Sequence, residues 1–295
     1  MDKYYAALHI KPVSKFVMHR LSVAPVIISL LIVFGLLFPK STVGQNKLEK
    51  LLEKKMDSLL MPVKPQQLLP DDAMQTITIP PGWGGYGSYL FGSVGGVYPQ
   101  AYTNKADMAV SGGVCVGNPE KFLNFAASIN LNDVHKFQDF SANFIVSRML
   151  FAGTSVSAGV LQVFANKIQT DVPGATYYIA FSHAVQTLPS QTEGSSKLTY
   201  TIGIGNGRFY LRSPYDIAAG RNKKGTMVFG GVSYEFIHHV NVNAEWSGTN
   251  LAASLGLRPF PNAFSIGIGV MNITRNSADK PAGIFSIGYP LSLSR

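Results

Sequence analysis

The sequence predicts an all-β fold: an antiparallel transmembrane β-barrel of about twelve strands, preceded by a short N-terminal helix and a linker. Three observations carry this expectation. Beyond Pro81, helical periodicity gives way to segments in which apolar side chains alternate with small or polar ones. Charged residues make up only 14% of the chain, against 29 Gly, 18 Phe and 13 Tyr, whereas soluble domains carry roughly 25% charge. An apolar leader followed by small residues marks the chain for export.

The leader runs from Leu21 to Phe38 without a charge, between His19-Arg20 and Pro39-Lys40. Thr42-Val43-Gly44 before Gln45 reads as a cleavage site, so residues 1–44 are expected to be a signal peptide. A run of this length also fits an uncleaved inner-membrane anchor, the competing reading. Met18, directly before His19-Arg20, offers an alternative start.

Residues 45–82 form the lead-in to the sheet. Leu48, Leu51, Leu52, Met56, Leu59 and Leu60 recur at helical spacing with Lys and Glu between them, which predicts an amphipathic periplasmic helix over 46–60. That helix could dock a periplasmic protein partner or peptidoglycan. Pro62, Pro65, Pro70, Pro80 and Pro81 then break the chain into an extended linker capping the barrel mouth, with a short strand at Gln75–Ile79.

Residues 83–295 carry the barrel. Phe264, Ile266, Ile268 and Val270 fall on one face, and Ser265, Gly267, Gly269 and Met271 on the other. The same parity sets Val240, Val242, Ala244 and Trp246 against Asn241, Asn243 and Glu245, and Leu251, Ala253, Leu255 and Leu257 against Ala252, Ser254, Gly256 and Arg258. Strands are expected near 84–98, 106–117, 121–132, 137–149, 152–166, 175–187, 196–207, 224–237, 239–248, 250–259, 262–275 and 282–294. The connections fall into tight ones, as at Phe151-Ala152 and Ile237-His238, and longer ones such as 167–174 and 208–223. Periplasmic turns and outer loops differ in this way. The 188–195 connection breaks the alternation, being long on the periplasmic side.

A soluble sandwich would alternate too, but its polar face would need charge to meet water. Here that face is mostly Gly, Ser, Thr, Ala and Asn, which suits a confined barrel interior. Closure also removes the sheet edges that lipid cannot solvate. Trp83, Tyr86, Tyr98, Phe137, Tyr177, Tyr178, Tyr200, Phe236, Trp246 and Tyr289 lie near strand ends, where interfacial girdles form.

The formal charge of +9 falls to +5 beyond residue 44, where 20 basic residues meet 15 acidic ones. Those basic residues are scattered, which argues against nucleic-acid binding. Cys115 stands alone, so no internal disulfide, CxxC metal site or lipobox is expected. No cofactor motif is visible. Gly203-Ile204-Gly205-Asn206-Gly207 lacks the spacing and the following helix of a phosphate loop and reads as strand glycine. His238-His239 lacks a third ligand, and no metal site is expected.

Three charges stand out for a functional role. Glu235, Glu245 and Arg258 lie on neighbouring strands with inward parity, which predicts a charge network in the lumen. The loop from Arg208 to Lys224 holds Arg208, Tyr210, Arg212, Tyr215, Arg221, Lys223 and Lys224. Placed outside, it forms a basic and aromatic surface for outer-membrane lipids or lipopolysaccharide. No catalytic motif is assembled: no GxSxG accompanies the serines, and of the available histidines, His135 and His183, the second has lipid-facing parity. The chain is therefore expected not to be an enzyme.

The plan of signal, short helix, Pro-rich linker and Gly-rich alternating strands resembles small bacterial outer-membrane β-barrel proteins. Within it, Tyr234-Glu235-Phe236, Asn243-Ala244-Glu245-Trp246 and Ser254-Leu255-Gly256-Leu257-Arg258-Pro259 resemble the later strands of YjbH-type barrels associated with exopolysaccharide. The resemblance implies a structural or export-associated barrel in the bacterial outer membrane, linked to surface polysaccharide. A narrow porin-like channel and an outer-membrane hydrolase are the alternatives.

Overall fold

The computed structural model of the protein describes residues 67–165, 174–260 and 264–292, together with residue 50. The expected signal peptide and the helix over 46–60 lie outside them. None of the described helices is long and apolar enough to cross a membrane.

Twelve antiparallel strands close into a barrel. In chain order they are β1 (Tyr89–Tyr98), β2 (Asp107–Gly117), β3 (Asn124–Asp133), β4 (Gln138–Phe151), β5 (Thr154–Val163) and β6 (Thr176–Ala184), then β7 (Leu198–Gly205), β8 (Val228–Ile237), β9 (Val240–Trp246), β10 (Leu251–Leu257), β11 (Ser265–Met271) and β12 (Ala282–Ser292). Each strand pairs with its neighbours in sequence. The seam is the β12–β1 ladder, in which Gly283 to Ser292 run opposite Tyr98 to Tyr89. Closure supplies both edge strands with hydrogen-bond partners, the condition for a sheet to sit in hydrocarbon.

Strand parity decides what each side chain meets. Along β9, Asn241, Asn243 and Glu245 are buried while Val242 and Ala244 are exposed. Along β7, Thr199, Thr201, Gly203 and Gly205 are buried and Tyr200, Ile202 and Ile204 are exposed. The exposed members of such pairs are large: Ile202 is 56% exposed, Ile268 53% and Leu255 45%. A continuous outer surface of this kind, far wider than a monomer leaves in water, matches a bilayer.

The barrel has two unlike ends. At the base, where β1 begins and β12 ends, lie the turns 152–153 and 238–239, the connection 118–123, residues 258–260 and 264, and the longer 185–197. At the mouth lie 99–106, 134–137, 164–165, 174–175, 206–227, 247–250 and 272–281. The 185–197 connection is tied down by a parallel two-residue ladder, Leu69–Pro70 against Ser195–Ser196. The mouth loop 206–227 is partly folded, with a 3-10 turn at Gly207–Phe209 and a short helix, α1 (Pro214–Ala218), capped by the Ser213 side chain.

Exposed aromatics mark both ends. Phe122, Phe151, Phe236 and Tyr289 ring the base, and Tyr98, Phe137 and Tyr177 ring the mouth. Two members of the expected girdle are elsewhere. Tyr178 has inward parity and is 5% exposed in a luminal cluster, and Trp83 belongs to a segment inside the barrel, its indole nitrogen enclosed.

That segment, residues 67–88, departs most from the linker expected to cap the barrel. It enters at the base, climbs the lumen and returns to the base before β1 starts. Residues 84–88, expected as strand, belong to its return limb, so β1 begins only at Tyr89. Gln75–Ile79 is not a strand either, because its backbone donors are taken by a side chain of the wall rather than by a neighbouring strand.

Glycines of the wall make room for this segment. A Cβ at Gly256 would overlap the Met74 carbonyl, and one at Gly267 would collide with the Met74 and Ile77 side chains. Gly256→Leu should therefore expel the luminal segment without opening the wall. Hydrogen exchange across residues 74–79 should rise at least tenfold while the heat-modifiable gel shift persists; unchanged exchange would contradict the placement.

Candidate functional site

The lumen is filled by the chain's own segment, and Glu245 holds its highest point. The Glu245 carboxylate, 1% exposed, accepts the backbone N–H groups of Ile77 (2.9 Å), Thr78 (2.7 Å) and Ile79 (3.1 Å). It also accepts the Thr78 hydroxyl at 2.7 Å. Three consecutive amides converge on it because the Thr76-Ile77-Thr78-Ile79 run, followed by Pro80-Pro81, turns at the top of its climb. Four donors satisfy the buried carboxylate, and the amides that no strand satisfies find their acceptor there.

Lower contacts fix both limbs. On the ascending limb, the Asn241 amide donates to both Asp71 oxygens at 2.7 and 2.9 Å. The Asn243 amide donates to the Met74 carbonyl at 3.0 Å, and the Thr199 hydroxyl to Gln75 at 3.1 Å. On the descending limb, the Ser157 hydroxyl donates to the Pro81 carbonyl at 2.8 Å. The Gly82 N–H donates to the Ser182 hydroxyl at 2.7 Å. At the base, Gly87 N–H bonds the Gly117 carbonyl and hands the chain to β1.

The three luminal charges singled out in the sequence all lie on this inner surface, but each answers to a different partner. Glu245 grips the top of the segment. Arg258 forms an ion pair with Asp72 of the segment at 3.0 Å. Glu235 is 3% exposed near the base, with the His238 ring nitrogen 3.7 Å from its side-chain oxygen. Asp71, Asp72 and Thr78 were not singled out, although the Asp71-Asp72 pair beside Pro70 is the linker's only acidic cluster.

Asp71 lies outside the membrane-crossing strands. Burial, with added repulsion from Glu235 and Asp72, pushes its carboxyl up to about 7 against the pull of the Asn241 amide.

Above the segment, a small apolar cluster closes one side of the lumen. Ile79, Tyr178, Ala180, Phe209 and Phe229 pack together with Leu161, and the Phe209 and Phe229 rings stack at 4.2 Å. Phe209 drops from the mouth loop into the barrel, fully buried. Gly203 and Gly205 face these rings, and a Cβ at either would strike Phe229 or Phe209. The glycine run that superficially suggests a phosphate loop is thus the seat of two aromatic rings.

A cavity of about 400 Å³ opens between the apex of the segment and the mouth loops. Ile77 and Thr78 form its floor, and Arg208, Tyr215, Asp216 and Asp107 stand in its walls. Most other members of the basic loop face away from it. Arg212 donates to the Arg221 carbonyl (2.9 Å) and to Asn222 (3.0 Å), and Arg221 lies 5.8 Å from the Tyr102 ring centre. Lys224 sits 5.3 Å above the Tyr210 ring. Lys223 and Lys224 flank a shallow recess with Trp246.

Among the described residues the histidines are spread over both ends of the barrel. His135 is exposed in a mouth turn. His183, on the lipid-facing side near the base, shares a 2.7 Å hydrogen bond with the Thr154 hydroxyl. His238 and His239 stack at the base, and among the described residues no three potential ligands gather for a metal. Cys115 is buried in the inner wall beside Asn124.

Two consequences can be measured. Glu245→Ala removes the acceptor of four buried bonds, at about 1–3 kcal/mol for each orphaned donor, so proteinase K should cleave within residues 67–88 much faster than in the parent; equal rates would count against the clamp. Because the docked Asp71 pKa lies above its free value, docking is strongest below pH of about 4, weakens up to about 7 and is level above. Trp83 emission in a Trp246→Phe background should show its denaturant midpoint falling over that window, and Asp71→Asn should abolish the slope.

No protein-family model matches the chain, and no curated protein matches it. Among solved structures it is similar to a KdgM porin, at 9% identity over 68% of this chain and 98% of that chain, with a TM-score of 0.39. It is also similar to outer membrane phospholipase A from Escherichia coli (7% identity, 71% and 98% covered, TM-score 0.38). A third is the Salmonella typhi outer membrane phospholipase dimer with bound calcium (8% identity, 70% and 91% covered, TM-score 0.38).

Proposed function

We propose that the chain is a bacterial outer-membrane barrel held closed at rest by its own residues 67–88, with a structural or export-associated role. The observation that carries this reading is the Glu245 carboxylate bound to three successive amides at the apex of the luminal segment. The apolar outer face and the aromatic belts at both ends support a bilayer setting. Short turns at one end and the longest loop at the other support a periplasmic base and an external mouth.

Strands β8 to β10, which supply Glu235, Asn241, Asn243 and Glu245, and Arg258 just after them are also the stretch that resembles YjbH-type barrels. That overlap supports a link to surface polysaccharide, with the closed barrel as a wall element of the export machinery. On the mouth side, Lys223 and Lys224 beside Trp246 suit the phosphates of lipopolysaccharide, which basic residues at an interfacial aromatic can reach.

A second reading is a narrow porin-like channel that conducts once the segment leaves. It is favoured by the inner wall of Gly, Ser and Thr, which would leave an open column behind. The hydrolase alternative receives no such support, since His135 and His183 lie at opposite ends.

Planar-bilayer recording separates the readings. The intact chain should give no steady conductance, and a form lacking residues 67–82 should give stable unitary steps. Equal conductance from both would contradict closure by the segment.

A further inference from the structure

The mouth cavity holds a charge that the protein does not use. Its volume, about 400 Å³, falls within the range of about 300–1,000 Å³ typical of small-molecule sites. Three ionisable side chains of opposite sign stand in its walls, and the two acids are already engaged. Asp216, 3% exposed, accepts the Tyr102 hydroxyl at 2.8 Å on one oxygen and the Ser213 hydroxyl at 2.8 Å on the other. Asp107 accepts the Gln100 amide at 3.3 Å.

Arg208 differs. Its backbone N–H is bound by the Thr176 hydroxyl at 3.0 Å, which fixes the residue at the start of the mouth loop. Among the described residues its guanidinium has neither an ion pair nor a hydrogen bond. The unused charge of the cavity is therefore positive, on a planar fork of donors that matches a carboxylate in two parallel bonds. A doubly charged oxyanion would suffer more from Asp107 and Asp216, so a single carboxylate suits the walls best.

The neutral neighbours point to what else the ligand carries. Gln162 brings a neutral amide side chain to the wall, a group that pairs with hydroxyls. Tyr215 adds a phenol to the same wall. Hydroxyl groups pair with both. Around the opening, Arg212, Arg221, Lys223, Lys224, Arg275 and Lys280 outnumber Asp216 and Asp279 in the 206–227 and 272–281 loops and draw anions towards the mouth.

We propose that this cavity is a binding site for a small hydroxylated carboxylate, with the carboxylate on Arg208 and its hydroxyls among the polar wall groups of Gln162 and Tyr215. The site rests on the closed state described above, because Ile77 and Thr78 form its floor. A ligand bound there sits directly on the residues that Glu245 holds.

Calorimetric titration of the refolded full chain with glucuronate and with glucose tests the site, since the two sugars differ by the carboxylate. Glucuronate should bind at least tenfold more tightly than glucose. Arg208→Gln should cost at least tenfold in glucuronate affinity, whereas Lys136→Gln, a rim charge paired with Asp133, should change it less than twofold. Equal binding of the two sugars, no binding of glucuronate, or full affinity in Arg208→Gln would each overturn the proposal. The heat-modifiable shift and protease protection of residues 67–88, run on the same samples, report the barrel and its closure independently. A barrel that is shifted and protected yet does not bind refutes the ligand site alone.

Discussion

A buried carboxylate with no partner is among the costliest groups a protein interior can hold, and a run of backbone amides with no strand beside it is costly for the same reason. In this barrel the two needs cancel at Glu245 and Ile77–Ile79. Much of the inner surface follows from that contact. Once the apex of the segment is fixed near the mouth, both limbs must descend beside the wall, and the wall must be thin where they pass. Gly256 and Gly267 lie under Met74 and Ile77, and the Asn, Ser and Thr side chains around them supply hydrogen bonds that bulkier apolar groups could not.

The mouth is organised by the same demand for filling. The space beside Ile79 is taken by Phe209 and Phe229, seated on Gly203 and Gly205. Because Phe209 belongs to the mouth loop, the filling of the lumen and the folding of the loop become one event. Arg208, next to that anchor, is thereby held in the cavity wall instead of swinging out with the other basic residues of the loop. The external surface and the interior segment are coupled through a few side chains, with Thr78 touching both the cavity and Glu245.

Much of the wall was legible in the sequence. Alternation over β9 to β11 gave the faces correctly, because a period of two leaves no freedom once one face is apolar. Twelve strands were expected and twelve close the barrel. The inward parity of Glu235, Glu245 and Arg258 could also be read, but their partners could not. Glu245 contacts residues 166 to 168 positions earlier in the chain, and no local pattern announces so distant a pairing. Residues 67–88 were misread as a cap and a strand start because prolines and glycines mark irregular backbone without saying where it goes. Tyr178 was placed with the aromatics at the interface for a related reason: nearness to a strand end outweighed its inward parity, which β6 obeys.

The placement of the segment inside the barrel is the central claim, and a covalent trap tests it most directly. The Ile79 side chain reaches to 3.0 Å of the position a Cβ would take on Gly231. In a chain carrying Cys115→Ser, the pair Ile79→Cys and Gly231→Cys should form a disulfide on mild oxidation of the folded barrel, detected as a linked peptide by mass spectrometry. If both thiols instead remain free and label readily with a water-soluble maleimide while the barrel stays folded, the segment does not occupy the lumen and the account fails.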